Sequence, residues 1–218
     1  MTVSNPIYVP PPEVAAASAT TAGRLFAVVA QRNFNQTALI QDDQILSYGE
    51  LNGRVNQLAH VFLANQVSRG DRIALLARNC IPFIEVELAA AKVGAITVSF
   101  NWRSTENEVV HCLNLTSPKL VVATPEFEEI LESAGRVPDL VIGPNYEDTI
   151  KNMGTGEPEV LVESEDGLVI IFTSGTTGLP KGALISHRAI ITRSLIYASE
   201  YKVPKRDTFV AWSPLFHM

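Results

Sequence analysis

A run of small residues followed by a lysine is the segment of this sequence best suited to bind phosphate. Residues 173–178 read Thr-Ser-Gly-Thr-Thr-Gly, so every side chain there is either absent or a small hydroxyl. Such a segment lets backbone N–H groups approach an anion closely, and its four hydroxyls add further donors. Lys181 follows as a compact, mobile positive charge suited to phosphate oxygens, and Pro180 stiffens the chain before it. The predicted phosphate-binding residues are Thr173, Ser174, Gly175, Thr176, Thr177, Gly178 and Lys181.

The spacing of these residues excludes the Walker A pattern, which needs Gly, four residues and then Gly-Lys-Ser or Gly-Lys-Thr. Here Pro180 precedes the lysine and Gly182 follows it. Residues 183–185, Ala-Leu-Ile, predict a second short strand, whereas a Walker A loop opens a helix. A flexible hairpin loop with an incidental lysine is the structural alternative to a phosphate site.

Two segments resemble signatures of the adenylate-forming superfamily, which includes acyl- and aryl-CoA synthetases, firefly-type luciferases and the adenylation domains of peptide synthetases. The first is the unbroken run Thr-Ser-Gly-Thr-Thr-Gly-Leu-Pro-Lys-Gly at 173–182, and the second is Pro-Leu-Phe-His at 214–217. The resemblance implies catalytic roles for Lys181 and for His217, which would face the carboxylate substrate and the α-phosphate. The pair Phe216-His217 is more similar to acyl-CoA synthetases than to peptide-synthetase domains, in which Phe-Asp is expected.

The resemblance implies a two-step ligase. A small-molecule carboxylic acid would attack the α-phosphate of ATP, releasing pyrophosphate and leaving an acyl-adenylate, and coenzyme A would then take the acyl group. The loop from Thr173 to Lys181 would hold the β- and γ-phosphates, and Mg²⁺ would bridge phosphates. The sequence assigns no carboxylate ligand to this metal ion. Enzymes of the superfamily are considerably longer, so residues 20–218 are expected to be a partial N-terminal AMP-binding domain that is inactive in isolation. Residues 1–19 are expected to form an extended arm.

Strand and helix patterns alternate along the chain, which predicts an α/β fold with a largely parallel sheet flanked by helices on both faces. For example, residues 73–76 are uniformly apolar, and 81–93 has helical spacing closed by Gly94. The apolar run 168–172 then leads directly into the phosphate-binding loop. Ligands of open α/β sheets bind beyond the carboxyl ends of the strands, so the loop lies where such a sheet would present a site.

Three further segments carry predictions about structure. Residues 144–166 are rich in Gly, Pro and acids, which predicts an irregular surface connection. Ser186 is a good N-cap for a helix over 187–200, whose buried side is predicted to contain Ile190, Ile191, Leu195 and Ile196. Residues 208–212 predict a buried strand that delivers His217 at its carboxyl end.

Composition narrows the class of protein. A chain of 218 residues with 46% hydrophobic residues can bury a sizeable core, and a net charge of −6 argues against a nucleic-acid partner. Cys80 and Cys112 are expected to be reduced thiols of a cytoplasmic protein. Neither a signal peptide nor an apolar run near the roughly 20 residues of a membrane span is evident. The oligomeric state is left open.

Other functions stay open at this point. Another phosphate-binding enzyme, such as a kinase or NTPase, would hydrolyse ATP to ADP without a carboxylic acid. A non-catalytic module could retain the fold and bind a protein partner, and a luciferase-like or peptide-synthetase adenylation protein would share the same loop. His60, His111 and His187 are predicted to be structural. Residues 101–103, Asn-Trp-Arg, resemble a segment common in acyl-CoA synthetases, with a structural ion pair as the expected role of the arginine.

Overall fold

The computed structural model describes residues 19–173, 178–204 and 207–217. Nearly all of the predicted arm at 1–19 therefore lies outside the described residues, as do Ser174, Gly175, Thr176 and Thr177. The helices are α1 (Ala22–Arg32), α2 (Tyr48–Ala64), α3 (Ile81–Val93), α4 (Glu106–Thr116), α5 (Glu128–Ser133), α6 (Pro144–Ile150) and α7 (His187–Glu200). The strands are β1 (Thr37–Gln41), β2 (Gln44–Ser47), β3 (Arg72–Leu76), β4 (Ile96–Ser99), β5 (Leu120–Ala123), β6 (Leu140–Val141), β7 (Gly167–Thr173) and β8 (Lys181–Ser186). Short 3₁₀ turns occupy Pro125–Phe127 and Leu215–His217.

A six-stranded sheet in the order β6-β5-β3-β4-β7-β8 forms the centre of the molecule. The first five strands run parallel, and β8 pairs antiparallel with β7 at the edge. Strands β1 and β2 form a separate antiparallel hairpin. The structure thus confirms the predicted α/β fold with a largely parallel sheet.

Helices cover both faces of this sheet, as the uniformly apolar strands predicted. Successive side chains of a strand point to opposite faces. Accordingly Ile73 and Leu75 join a core with α2 and α3, while Ala74 and Leu76 join a second core with α4 and α5. Both cores are built from fully buried side chains, so β3 is enclosed on each side.

The helix ends follow the local sequence closely. Ser47 and Glu50 form a reciprocal capping box at the start of α2, and Thr105 and Glu108 form another at the start of α4. Helix α3 ends at Gly94, whose φ of 71° lies in the left-handed region that glycine enters without steric cost. The predicted end of α3 at Gly94 is thus confirmed. All three of these helix ends depend on residues only a few positions apart.

The prediction of an irregular connection over 144–166 is wrong in its first third, where α6 forms. Tyr146 and Ile150, four residues apart, face inward from α6 and are fully buried. The acids and prolines around them obscure this short apolar repeat in the sequence. Helix α6 is stabilised by burial against α2 and by hydrogen bonding to side chains distant in the sequence. Neither interaction can be predicted from the residues within the helix.

The predicted strand at 208–212 is also wrong. Residues 207–212 form no strand, and Phe209, Val210 and Trp212 are 69%, 72% and 81% exposed. In the same way Leu195 and Ile196 on α7 are exposed, and Ile190 and Ile191 are only partly buried. Apolar composition favours burial only where a neighbouring element supplies the other surface, and the described part of the chain brings none against these side chains.

Candidate phosphate-binding site

The strand that leads into the loop is fixed by packing at its carboxyl end. Phe172, the last apolar residue of β7, meets the ring of Phe100 edge to face, with ring centroids 5.8 Å apart and planes inclined at 72°. Phe100 follows β4 and is fully buried in the core with α4. Strands β4 and β7 are parallel neighbours, so this aromatic pair holds the carboxyl ends of both strands together.

The two ends of the loop are held side by side by the hairpin ladder. Thr173 and Lys181 are the last register pair of β7 and β8, and the Thr173 hydroxyl donates to the Lys181 carbonyl over 3.4 Å. Gly178 has a φ of 94°, a conformation that requires glycine at this turn. Thr173, Gly178 and Lys181 are exposed, while the other four predicted residues lie outside the described part of the chain. The described residues therefore form the base of a hairpin loop at the carboxyl edge of the sheet.

The charge of Lys181 is not compensated by any ion pair within the described residues. Its side chain is exposed beside the loop. An exposed ammonium next to a turn of small residues is suited to a mobile, multiply charged anion.

His217 lies at the same edge of the sheet. Leu215 and Phe216 are buried in the core with α3, while His217 is exposed and its ring centroid is 4.3 Å from that of Phe216. The 3₁₀ turn that carries them contacts β7. Asn79 anchors this segment, because its amide donates to the Ser213 carbonyl at 2.8 Å and accepts from the Leu215 N–H at 2.9 Å.

Asn79 was not identified from the sequence. It follows the carboxyl end of β3 and so joins the β3–α3 connection to a segment more than 130 positions later. Its only local signal is a polar residue in the short connection after a buried strand, and that signal is common in α/β proteins.

Two arginines stack on one tryptophan at the same edge. The guanidinium carbons of Arg78 and Arg103 lie 4.3 and 4.2 Å from the centroid of the Trp102 ring. Arg103 does not form the expected ion pair with any described carboxylate, whereas Arg78 lies 3.7 Å from Glu126. The carboxyl edge of the sheet thus carries several positive charges although the chain as a whole is acidic, a local field that favours anions.

The histidines predicted to be structural have different environments. His187 is fully buried, and its Nδ1 accepts a hydrogen bond from the Ala22 N–H at 3.1 Å; burial lowers its pKa. His60 on α2 lies 3.0 Å from the Gly156 carbonyl through Nε2 and does not contact the loop's described residues by a hydrogen bond. His111 on α4 lies 3.0 Å from the Pro180 carbonyl through Nε2. A carbonyl oxygen only accepts hydrogen bonds, so Nε2 of His111 carries a proton and donates a hydrogen bond to the Pro180 carbonyl.

A cleft of about 410 Å³ lies between the start of α1 and residues 157–162, where the buried ammonium of Lys92 donates to Asn52, Asn56 and Glu157. Across residues 19–173, 178–204 and 207–217, no three His, Cys, Asp or Glu side chains cluster as metal ligands would. None of the helices in those ranges combines the length and hydrophobicity of a membrane-crossing helix.

The chain is similar to known proteins over most of its length. The family described as AMP-binding enzymes matches residues 26–218, which is most of the chain. The chain belongs to the AMP-binding enzyme family. The matched residues include the hairpin loop and the sheet around it.

Three relatives of this AMP-binding chain illustrate the family. A long-chain-fatty-acid–CoA ligase of Mycobacterium tuberculosis, FadD13, is 32% identical over 183 residues, covering 81% of this chain and 36% of that protein. A fatty acid–[acyl-carrier-protein] ligase of Streptomyces coeruleorubidus, ScoC, is 29% identical and is covered to 34%. The crystal structure of the N-terminal domain of M. tuberculosis FACL13 superposes with a TM-score of 0.85 at 28% identity, covering 90% of this chain and 52% of that one. The chain therefore spans about a third of the length of these curated relatives.

Proposed function

We propose that this AMP-binding chain belongs to an acid–thiol ligase that activates a carboxylic acid with ATP and transfers the acyl group to coenzyme A. The observation that carries the proposal is the exposed Lys181, which forms no ion pair with the described residues and is held by the ladder beside Thr173 at the carboxyl edge of the sheet. This arrangement fits a polyphosphate, and the relatives named above are fatty-acid ligases.

In the first step the acid's carboxylate oxygen bonds to the α-phosphorus of ATP, and the bond to the bridging oxygen breaks as pyrophosphate leaves. Charge grows on the departing phosphates, where Lys181 and the amides and hydroxyls of the loop would stabilise it. His217 would donate a hydrogen bond to the carboxylate or the α-phosphate. In the second step the thiol loses its proton to solvent and its sulfur bonds to the acyl carbon. The bond from that carbon to the phosphate oxygen then breaks, and AMP leaves.

Mg²⁺ would supply further neutralisation of phosphate charge, as it does for nucleotide substrates generally. Among the described residues, no three His, Cys, Asp or Glu side chains cluster to bind it. The proposed contribution of this chain is the phosphate loop, with Thr173, Ser174, Gly175, Thr176, Thr177, Gly178 and Lys181, together with His217.

We propose a fatty acid as the acid and coenzyme A as the acceptor, in keeping with the FadD13 relative. The ScoC relative, a fatty acid–[acyl-carrier-protein] ligase, makes a carrier-protein thiol the second candidate acceptor. Cys80 and Cys112 are free, which supports the cytoplasmic location proposed for the reaction. The chain covers only about a third of its curated relatives, so we further propose that it does not complete adenylation alone.

Carboxylate-dependent exchange of pyrophosphate into ATP tests the proposal. The assay is run with fatty, aryl and short-chain acids on the 218-residue chain and on the product of the whole gene. We expect exchange that needs a fatty acid in the longer product and is lost in Lys181→Ala. Hydrolysis of ATP to ADP without any acid would instead identify a kinase or NTPase. Absence of exchange together with nucleotide binding that is unaffected by Lys181→Ala would favour a non-catalytic binding module.

A second assay identifies the acceptor, in which the activated acid is offered to coenzyme A and to holo carrier protein.

A further inference from the structure

We propose that His111 is a positioning residue for the phosphate-binding loop, acting through its hydrogen bond to the Pro180 carbonyl. The inference rests on the proposed function of the loop. His111 lies 69 positions before Pro180 in the chain, and the fold brings its Nε2 to 3.0 Å from that carbonyl oxygen. The bond reaches the limb by which the loop returns to the sheet, directly before Lys181.

The helix that carries His111 is firmly placed. Val109, Cys112 and Leu113 on α4 are buried in the core against β4, β5 and β7. These neighbours fix the rotation of α4 about its axis, and His111 occupies the adjacent, half-buried position that faces the hairpin. The imidazole is therefore held by a rigid support.

The return limb of the loop has few other restraints. The β7–β8 ladder ends at Thr173 and Lys181, so Pro180 lies beyond it, and proline has no N–H to donate. Gly178, two residues earlier, has the left-handed φ of 94° and contributes no side chain to packing. Within the described residues, His111 is the hydrogen-bond partner of the Pro180 carbonyl.

The other limb is held differently. Phe172 leads into the loop and is fixed by the buried ring of Phe100. The loop thus has an aromatic contact on its outgoing limb and a histidine hydrogen bond on its return limb. Holding both limbs reduces the conformational freedom that the loop loses when it binds an anion, so that binding costs less free energy.

The bond to the Pro180 carbonyl needs an N–H donor at position 111 and no charge, because a carbonyl oxygen accepts from a neutral donor. An amide side chain at this position can therefore replace the imidazole. This separates a residue that anchors the loop from one that contributes charge to phosphate binding.

Titration of the 218-residue chain with inorganic pyrophosphate by calorimetry tests the inference. We expect His111→Ala to weaken binding roughly fivefold to tenfold, as the loss of one neutral hydrogen bond implies. His111→Gln retains an N–H donor and should restore affinity to within about twofold. His60→Ala removes a comparable histidine–carbonyl bond away from the loop, to Gly156, and should leave affinity unchanged.

Amide hydrogen exchange supplies a second readout that does not depend on ligand. In His111→Ala the amides of Gly178, Leu179, Lys181 and Gly182 should exchange faster, while those of β3 and β4 should not change. Unchanged affinity and exchange in His111→Ala would overturn the inference, and so would equal weakening in the alanine and glutamine variants. If wild-type protein binds no pyrophosphate, the proposed function of the loop fails, and the exchange comparison still decides whether His111 positions it.

Discussion

The phenolic oxygen of Tyr146 lies 2.5 Å from Oε2 of Glu85, and both residues are completely buried. The other carboxylate oxygen of Glu85 accepts from Arg54 Nε at 2.5 Å, and Arg54 also binds Glu147. A buried carboxylate is tolerated only when its oxygens are hydrogen-bonded and its charge is paired. This network joins α2, α3 and α6, so it holds the unpredicted helix α6 to the rest of the fold.

Replacing Tyr146 by Phe should lower the free energy of unfolding by about 1–2 kcal/mol, because Glu85 would keep its burial and lose one donor. Urea denaturation monitored by circular dichroism measures the change. Tyr201→Phe is the control, since Tyr201 is largely exposed and its substitution should have little effect. Equal stability of the two variants would contradict a stabilising role for the Tyr146–Glu85 bond.

Glu87 on α3 should make the stability of the protein dependent on pH. Burial raises its pKa to about 7, opposed by a hydrogen bond from the Ser99 hydroxyl. The folded state therefore binds the proton more tightly than the unfolded state. The resulting stabilisation is complete below the unfolded pKa of 4.5 and is lost as the pH rises through about 7.

Glu87→Gln should accordingly raise the free energy of unfolding at pH 8, by about 2 kcal/mol after allowing for the partial exposure of the side chain. The gain should vanish near pH 4.5, the ordinary pKa of the carboxyl group. Urea titrations at several pH values measure it, with the exposed Glu129→Gln as control. A difference between Glu87→Gln and wild type that does not vary with pH would refute the assignment.

Lys181→Ala should weaken the binding of ATP and of pyrophosphate by at least tenfold, because it removes the exposed positive charge beside the loop. Stability should change little, since the side chain is exposed. Calorimetric titration measures the affinity. Lys151→Ala is the matched control, an exposed lysine paired with Asp148 at the end of α6, and it should bind like wild type.

Two aromatic residues near the end of the described chain should respond in opposite ways to truncation. Phe216 is buried in the core with α3, and Phe216→Ala should destabilise the protein by about 3 kcal/mol. Trp212 is 81% exposed, and Trp212→Ala should change stability by no more than about 0.5 kcal/mol. Thermal or urea unfolding compares them. A large loss of stability in Trp212→Ala would instead support the buried strand that the sequence predicts.

The sequence alone determined the features that depend on neighbouring residues. The capping boxes at Ser47 and Thr105, the end of α3 at Gly94 and the strand–loop–strand unit from 167 to 186 all follow from residues within a turn or a hairpin of one another. The chemistry of the phosphate-binding loop also depends on neighbouring residues. Its small residues and lysine are contiguous, and their donors and charge are intrinsic to the residue types.

Only the tertiary structure decided which side chains are buried and which distant groups meet. Tyr146 and Glu85 are 61 positions apart, and His111 and Pro180 are 69 apart, so no local pattern relates them. The apolar residues of 208–212 carry a strand-like pattern but remain exposed, because a strand needs a neighbouring edge and a side chain needs an opposing surface. The periodicity of apolar residues indicates that a segment can be buried on one side. The arrangement of the other elements determines whether it is buried.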